Sequence, residues 1–209
     1  MAFTKLWVVV PCKPFAEAKG RLAPYLLPAA RAELGCWLLD RTLRVVRALP
    51  AAGCVVVSRD AAALARAAQA GAVALSERGR TLNAALRQGI AAADARGAEA
   101  LLVLPTDLPL VESEDLADLI AGALPPPSVV IAAAECGGGT NALLLAPPRV
   151  IAPAFGRASR RRHAERAERA GAAVRVVHSQ RLARDLDTVA DLRALAGALP
   201  PFVLALSGV

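Results

Sequence analysis

The sequence predicts an α/β fold with a mainly parallel sheet flanked by helices, and three observations carry that expectation. Short apolar runs alternate with longer segments of helical periodicity, the pattern of βαβ units with right-handed crossovers. The run Leu101–Leu104 is continuous rather than alternating, as a strand covered on both faces must be. A chain of 209 residues, 56% of them hydrophobic, also suffices for one compact domain over residues 1–209 with a sizeable core.

The elements follow in order. Lys5–Val10 is the first strand and Pro11 ends it. The segment PCKPFAEAKGRL comes next, where Lys13 and Lys19, two of only three lysines, stand with Arg21. Lysine is a point charge suited to phosphates and arginine a bidentate fork, so a loop here, at the carboxyl edge of the sheet, can hold a triphosphate; the alternative is a solvated basic loop. It matches neither GxxxxGK[ST] nor GxGxxG. Pro28–Leu49 reads as a long helix, with Leu34, Leu38, Leu39, Leu43 and Val46 on one stripe. Cys54–Ser58 is the second strand, Asp60–Ala70 the second helix and Ala72–Leu75 a short third strand. Thr81 caps a helix whose first turn carries Asn83, an ordinary capping-region residue or one that meets a ligand above the sheet edge.

Leu101–Leu104 leads into LPTDLPL, where two prolines stiffen the turn that presents Asp107 at the carboxyl end of the strand. Open α/β sheets place ligands there, and a carboxylate among apolar neighbours needs a cation or changes its pKa. Asp107 is therefore read as a metal ligand, with a turn or capping aspartate as the alternative. The acids Glu114, Asp115 and Asp118 after Ser113 belong to the first turns of a helix and suit its dipole. Val129–Ala133 and Asn141–Leu145 are strands on either side of three glycines, and Gly137–Thr140 has the backbone freedom for an anion nest or a hairpin loop. Ser159 is expected to cap a helix over Arg160–Ala170, a helix terminus suited to a phosphate or carboxylate, with His163 on its surface. Ala173–Val177 is the last strand. Asp185 and Asp187, two apart, face one way if extended. Thr188–Ala196 closes the regular structure, and Leu199–Val209 is an apolar tail without a predicted place.

Composition excludes several classes. No run approaches the ~20 apolar residues of a membrane span, and no leader pattern opens the chain; a soluble cytoplasmic protein is expected. Cys12, Cys36, Cys54 and Cys136 lack zinc-site spacing and read as free thiols, Cys12 as a packing residue. The net charge of +7 first suggests nucleic acid. However, arginines are spread along the chain apart from a cluster at Arg157, Arg160–Arg162, Arg166 and Arg169, with no aromatic residues interleaved for stacking. Small anionic substrates account for the charge equally well.

Asp107, Asp185 and Asp187 crowd together only with compensation, since like charges raise one another's pKa. Mg²⁺, a hard ion preferring carboxylate and phosphate oxygens, provides it. With Lys13, Lys19 and Arg21 on the phosphates, such a site supports in-line attack on a nucleotide α-phosphate, without a covalent enzyme intermediate.

The segments VVVPCKPFAEAKGRLAP, GRTLNAALRQGI, LLVLPTDLPL, GGGTNALLL, FGRAS and LARDLDTVADL occur in the order found in the 2-phospho-L-lactate/phosphoenolpyruvate guanylyltransferases of coenzyme F420 biosynthesis, which the chain resembles from about Leu6 to Leu195. The resemblance implies a single-domain nucleotidyltransferase (Rossmann-like) fold, GTP as donor, Mg²⁺, and a small phosphorylated C3 acid as acceptor, phosphoenolpyruvate being the bacterial choice. It implies Asp107, Asp185 and Asp187 on metal, and Lys13, Lys19 and Arg21 around the GTP phosphates, acting with Asp107 in catalysis. It places Thr140, Gly156 and Ser159 around the acceptor. Where the family commonly has an aromatic residue after the serine, this chain has Arg160. A transferase for another phosphorylated acceptor and a silent nucleotide-binding protein are the alternatives. The partners implied are small molecules, with no nucleic acid and no membrane.

Overall fold

The computed structural model describes residues 3–135 and 138–205. Among these residues seven strands form one sheet in the order β3-β2-β1-β4-β6-β5-β7: β1 Leu6–Pro11, β2 Gly53–Ser58, β3 Val73–Ser76, β4 Ala100–Val103, β5 Ser128–Ala133, β6 Thr140–Ala146 and β7 Ala173–Val177. The pairs β1–β2, β1–β4, β2–β3 and β5–β7 are parallel, whereas β6 runs antiparallel to both neighbours, β4 and β5. The antiparallel strand matters for the site. With Leu143 opposite Val103, Thr140 begins β6 at the edge where β4 ends.

The helices are α1 Pro28–Arg47, α2 Ala61–Gln69, α3 Leu82–Asp94, α4 Ser113–Ala121, α5 Ser159–Arg169, α6 Val189–Ala194 and α7 Pro201–Ala205. Side chains alternate along the central strands, so Val8, Val10 and Leu102 join one core layer with Leu39, Leu43 and Leu116, while Val9, Leu101 and Val103 join the other with Leu86, Ile90 and Phe155. This is the two-faced burial that continuous apolar strands require. A third apolar cluster joins Leu22, Leu26, Leu34 and Leu38 to Leu186, Leu192, Leu195, Leu199 and Val203. It gives the start of the apolar tail its place, in contact with α1 and the segment just before it.

Several helix starts follow their sequence signals. Asp60 accepts the Ala62 N–H and Thr81 the Ala84 N–H. Thr188 and Asp191 form a capping box, as do Glu112 and Asp115, each satisfying donors that the first turn leaves unpaired. Cys12, Cys36 and Cys54 are free thiols, and burial pushes the Cys12 and Cys54 thiols up to about 12. That inertness agrees with packing roles; Cys136 lies outside the described residues. No helix among those residues is long and apolar enough to cross a membrane.

Candidate active site

The acidic centre is built from two distant segments. After β4, Pro105 and Pro109 restrict the backbone of the turn that carries Asp107. The Asp107 carbonyl accepts the Leu186 N–H at 2.9 Å, which docks the later segment against this turn. Leu186 is fully buried, so Asp185 and Asp187 on either side of it face away from the core. One carboxylate oxygen from each of Asp107, Asp185 and Asp187 lies within 4.8 Å of the others. Burial raises the Asp185 carboxyl above its ordinary range, and neighbouring Asp107 and then Asp187 and Asp191 push the same way. Carboxylates this close repel without a cation among them, and an all-oxygen donor set suits a hard divalent ion. The three residues thus fit a divalent metal.

Further contacts hold this centre together. The Asn141 amide donates to the carbonyls of Leu182 and Ala183 at 2.9 and 3.1 Å, and the Glu135 N–H donates to Ala183 at 2.9 Å. The Asp191 carboxylate accepts from the N–H groups of Asp187 and Thr188 and from the Thr188 hydroxyl. Burial pushes the Asp191 carboxyl up, yet those hydrogen bonds outweigh it and hold the group below the usual range. Neither Asn141 nor Asp191 stood out in the sequence reading. The T-x-x-D spacing from Thr188 was a readable signal for Asp191; no local signal marks Asn141, whose partners lie about forty residues ahead.

The basic loop meets the acids at Asp187. Lys19 Nζ is 3.5 Å from one of its oxygens and Arg21 Nη1 3.3 Å from the other. Lys19 takes a left-handed backbone, φ 50°, a conformation that costs energy for any residue but glycine and is often found at functional sites. Two anchors set the loop: the Phe15 N–H donates to Asp60 at 2.8 Å, and Leu22 and Leu26 pack with Leu186 and Leu192. Lys13 is exposed, two residues past the end of β1.

Thr140, Gly156 and Ser159 form a second group. Gly138 accepts the Arg160 N–H at 3.0 Å, tying the glycine loop before Thr140 to the start of α5; Gly137 lies outside the described residues. Gly156 has φ 113°, a backbone in which a side chain is strained. Ser159 does not cap α5. Ala158 occupies that position at φ 52°, and Ser159 is the first helical residue, buried, its N–H bonded to the Gly156 carbonyl. His163 is not a surface residue either. It is completely buried, with Nδ1 3.0 Å from the Thr140 hydroxyl and Nε2 accepting the Ala154 N–H at 2.9 Å. Burial, then Arg166 and Arg162, bring its pKa down to about 4. Charged residues flank His163 in sequence, but its own position falls on the inward face of α5, and that overrides the local polarity. Asn83 is committed to the loop beside it: its oxygen accepts the Phe155 N–H at 2.8 Å and its amide donates to the Phe155 carbonyl at 3.1 Å.

Known proteins are similar to this chain over most of its length. The family described as "Guanylyl transferase CofC like" matches residues 6–196. The chain is 42% identical over 193 residues to the phosphoenolpyruvate guanylyltransferase of Sphaerobacter thermophilus, covering 92% of this chain and 93% of that one. It is likewise 42% identical over 190 residues to that of Rubrobacter xylanophilus, covering 91% and 93%. Among solved structures it is similar to a nucleotidyl transferase from Methanothermobacter thermautotroptrophicus, with a TM-score of 0.69 and 18% identity over 96% of this chain and 99% of the other. That likeness is one of fold. The match across nearly the whole chain, together with the full-length relatives, places this protein in the CofC-like guanylyl transferase family.

Proposed function

We propose that this protein transfers GMP from GTP to phosphoenolpyruvate, giving enolpyruvyl-2-diphospho-5'-guanosine and pyrophosphate in coenzyme F420 biosynthesis. The observation that carries the reading is the 42% identity to phosphoenolpyruvate guanylyltransferases over nine-tenths of the chain. The converged aspartates supply matching chemistry. The whole chain acts as one nucleotidyltransferase domain, and its free thiols suit the reducing cytoplasm.

In this reaction a phosphate oxygen of phosphoenolpyruvate attacks the α-phosphorus of GTP, and the bond from that phosphorus to the bridging oxygen breaks as pyrophosphate leaves. Asp107, Asp185 and Asp187 would hold Mg²⁺, which would withdraw charge from the reacting phosphates. Lys13, Lys19 and Arg21 bind the triphosphate; Lys19 and Arg21, which rest on Asp187, turn part of their charge to the nucleotide. Asn83 supports the pocket from the Phe155 side. Thr140, Gly156 and Ser159 receive the acceptor's anionic groups, and orientation of the two substrates supplies much of the acceleration.

Competition tests this directly. The enzyme, GTP and Mg²⁺ are incubated with equal concentrations of phosphoenolpyruvate and 2-phospho-L-lactate, and both diphosphoguanosine products are quantified by mass. The enolpyruvyl product should dominate. A dominant phospholactyl product would reverse the acceptor, and absence of both would remove this acceptor class.

A further inference from the structure

The buried pair Thr140–His163 has a proton arrangement that its surroundings dictate. A backbone amide only donates, so the bond from the Ala154 N–H at 2.9 Å makes Nε2 the bare nitrogen of the ring. The neutral imidazole carries its single proton on the other nitrogen. Nδ1 therefore donates to the Thr140 hydroxyl oxygen at 3.0 Å, and that oxygen, already an acceptor, presents its own proton elsewhere. Among the described residues the hydroxyl has no other hydrogen-bond partner. Protonation of the ring would sever the Ala154 bond, and the low His163 pKa keeps the neutral form throughout the neutral range. The Phe155 ring, edge-on at a centroid distance of 5.0 Å, packs against the imidazole.

From this geometry we infer that His163 is a positioning residue for the acceptor: by fixing its tautomer against Ala154, it turns the Thr140 hydroxyl into an obligate donor to an anionic oxygen of the bound phosphorylated acid. The inference rests on the acceptor reading of Thr140 and extends it to a residue that touches no substrate. It accounts for a histidine buried on an otherwise arginine-rich helix. It also explains why a threonine at the start of a central strand is held by a side chain rather than left to rotate.

Substitutions at His163 and Thr140, alone and combined, separate the alternatives. Gln at position 163 reaches the place of Nε2 and retains an acceptor for Ala154, but withdraws the donor from Thr140. His163→Gln should therefore fold and raise KM for phosphoenolpyruvate about fivefold to tenfold, the worth of one oriented hydrogen bond. KM for GTP and kcat should stay within about twofold of the parent. Thr140→Val should show the raised acceptor KM, and adding His163→Gln to Thr140→Val should cost nothing more. Because the chain has two histidines, a ¹⁵N-histidine spectrum with His178→Gln as the assignment control reads the tautomer directly; His163 should be protonated on Nδ1 at pH 7. A ring protonated on Nε2, an unchanged acceptor KM in folded His163→Gln, or an effect that persists in the Thr140→Val background would each overturn the inference while leaving the transferase reaction intact. A parent that turns over neither phosphorylated acid would instead remove the proposed function, and this inference with it.

Discussion

At the scale of single residues, burial and partner decide what each ionisable group does. Asp107, Asp185 and Asp187 converge, and although Lys19 and Arg21 pair with Asp187, the carboxyl of Asp185 is still pushed up by its acidic neighbours, a repulsion that a shared cation would relieve. Asp107→Asn and Asp187→Asn should therefore abolish pyrophosphate release while far-UV circular dichroism stays that of the parent; near-normal turnover at saturating Mg²⁺ would count against the assignment. His163 makes a prediction about pH. Its pKa in the folded state is about 4, below the ~6.5 of an unfolded histidine. As pH falls from about 6.5 to 4 the unfolded chain takes up a proton that the native ring refuses, so stability present above 6.5 is lost on acidification. Between pH 7 and 4.5 the parent should lose about 2–3 kcal/mol more than His163→Gln in urea denaturation, and parallel losses would show that this ring is not the origin. The aspartates were legible in the sequence because proline and spacing framed them. His163 was not, because polarity along α5 is a local signal and the partners that bury it, Thr140 and Ala154, belong to other segments.

At the scale of elements, the site depends on how loops are clamped to the sheet. The segment from Leu182 to Thr188 has no regular structure of its own, and Asn141 holds it through two carbonyls. Asn141→Ala leaves both acceptors without that donor, at a cost of about 2 kcal/mol in stability, and should weaken Mg²⁺ binding measured by calorimetry; parent-like affinity would mean that the Leu186–Asp107 backbone bond suffices. The basic loop is clamped by Leu22 and Leu26 on one side and Asp60 on the other. Lys13→Ala and Arg21→Ala should therefore lower kcat/KM for GTP by weakening phosphate binding without loosening the loop, whereas unchanged constants would return these side chains to the solvated surface. Helix α3 shows the same dependence in packing. A Cβ on Gly89 would lie 2.6 Å from Val9 Cγ1 and 3.0 Å from Val57 Cγ2, so this glycine lets the helix approach β1 and β2. Gly89→Ala should cost about 1–3 kcal/mol through overpacking, visible in the urea midpoint. Strand and helix positions were legible from periodicity; this close approach was not, since a lone glycine in a helical pattern does not reveal what it faces.

At the scale of the whole molecule, strand–helix alternation was enough to predict a mainly parallel sheet, but not where β6 would insert. Its place between β4 and β5 depends on pairings with strands on both sides, and no local pattern encodes them. The apolar stretch from Leu199 was equally opaque, because its partners Leu22, Leu34 and Leu38 lie near the other end of the chain. That long-range closure has a thermodynamic consequence. The candidate metal centre takes one ligand from the turn after β4 and two from the segment before α6, so a bound ion joins parts of the chain that unfolding separates. An ion bound only by the folded form stabilises it by RT ln(1 + [L]/Kd), about 2.7 kcal/mol at a hundredfold excess over Kd. Adding Mg²⁺ to the metal-free protein should accordingly raise Tm in a concentration-dependent way, and a chelator should reverse the rise. Asp107→Asn and Asp187→Asn should each suppress the shift, although they remove ligands from segments about eighty residues apart. A shift of parent size in both variants would place the stabilising ion elsewhere, whereas loss in only one would make that segment the sole anchor and the convergence of the other carboxylate incidental to metal binding.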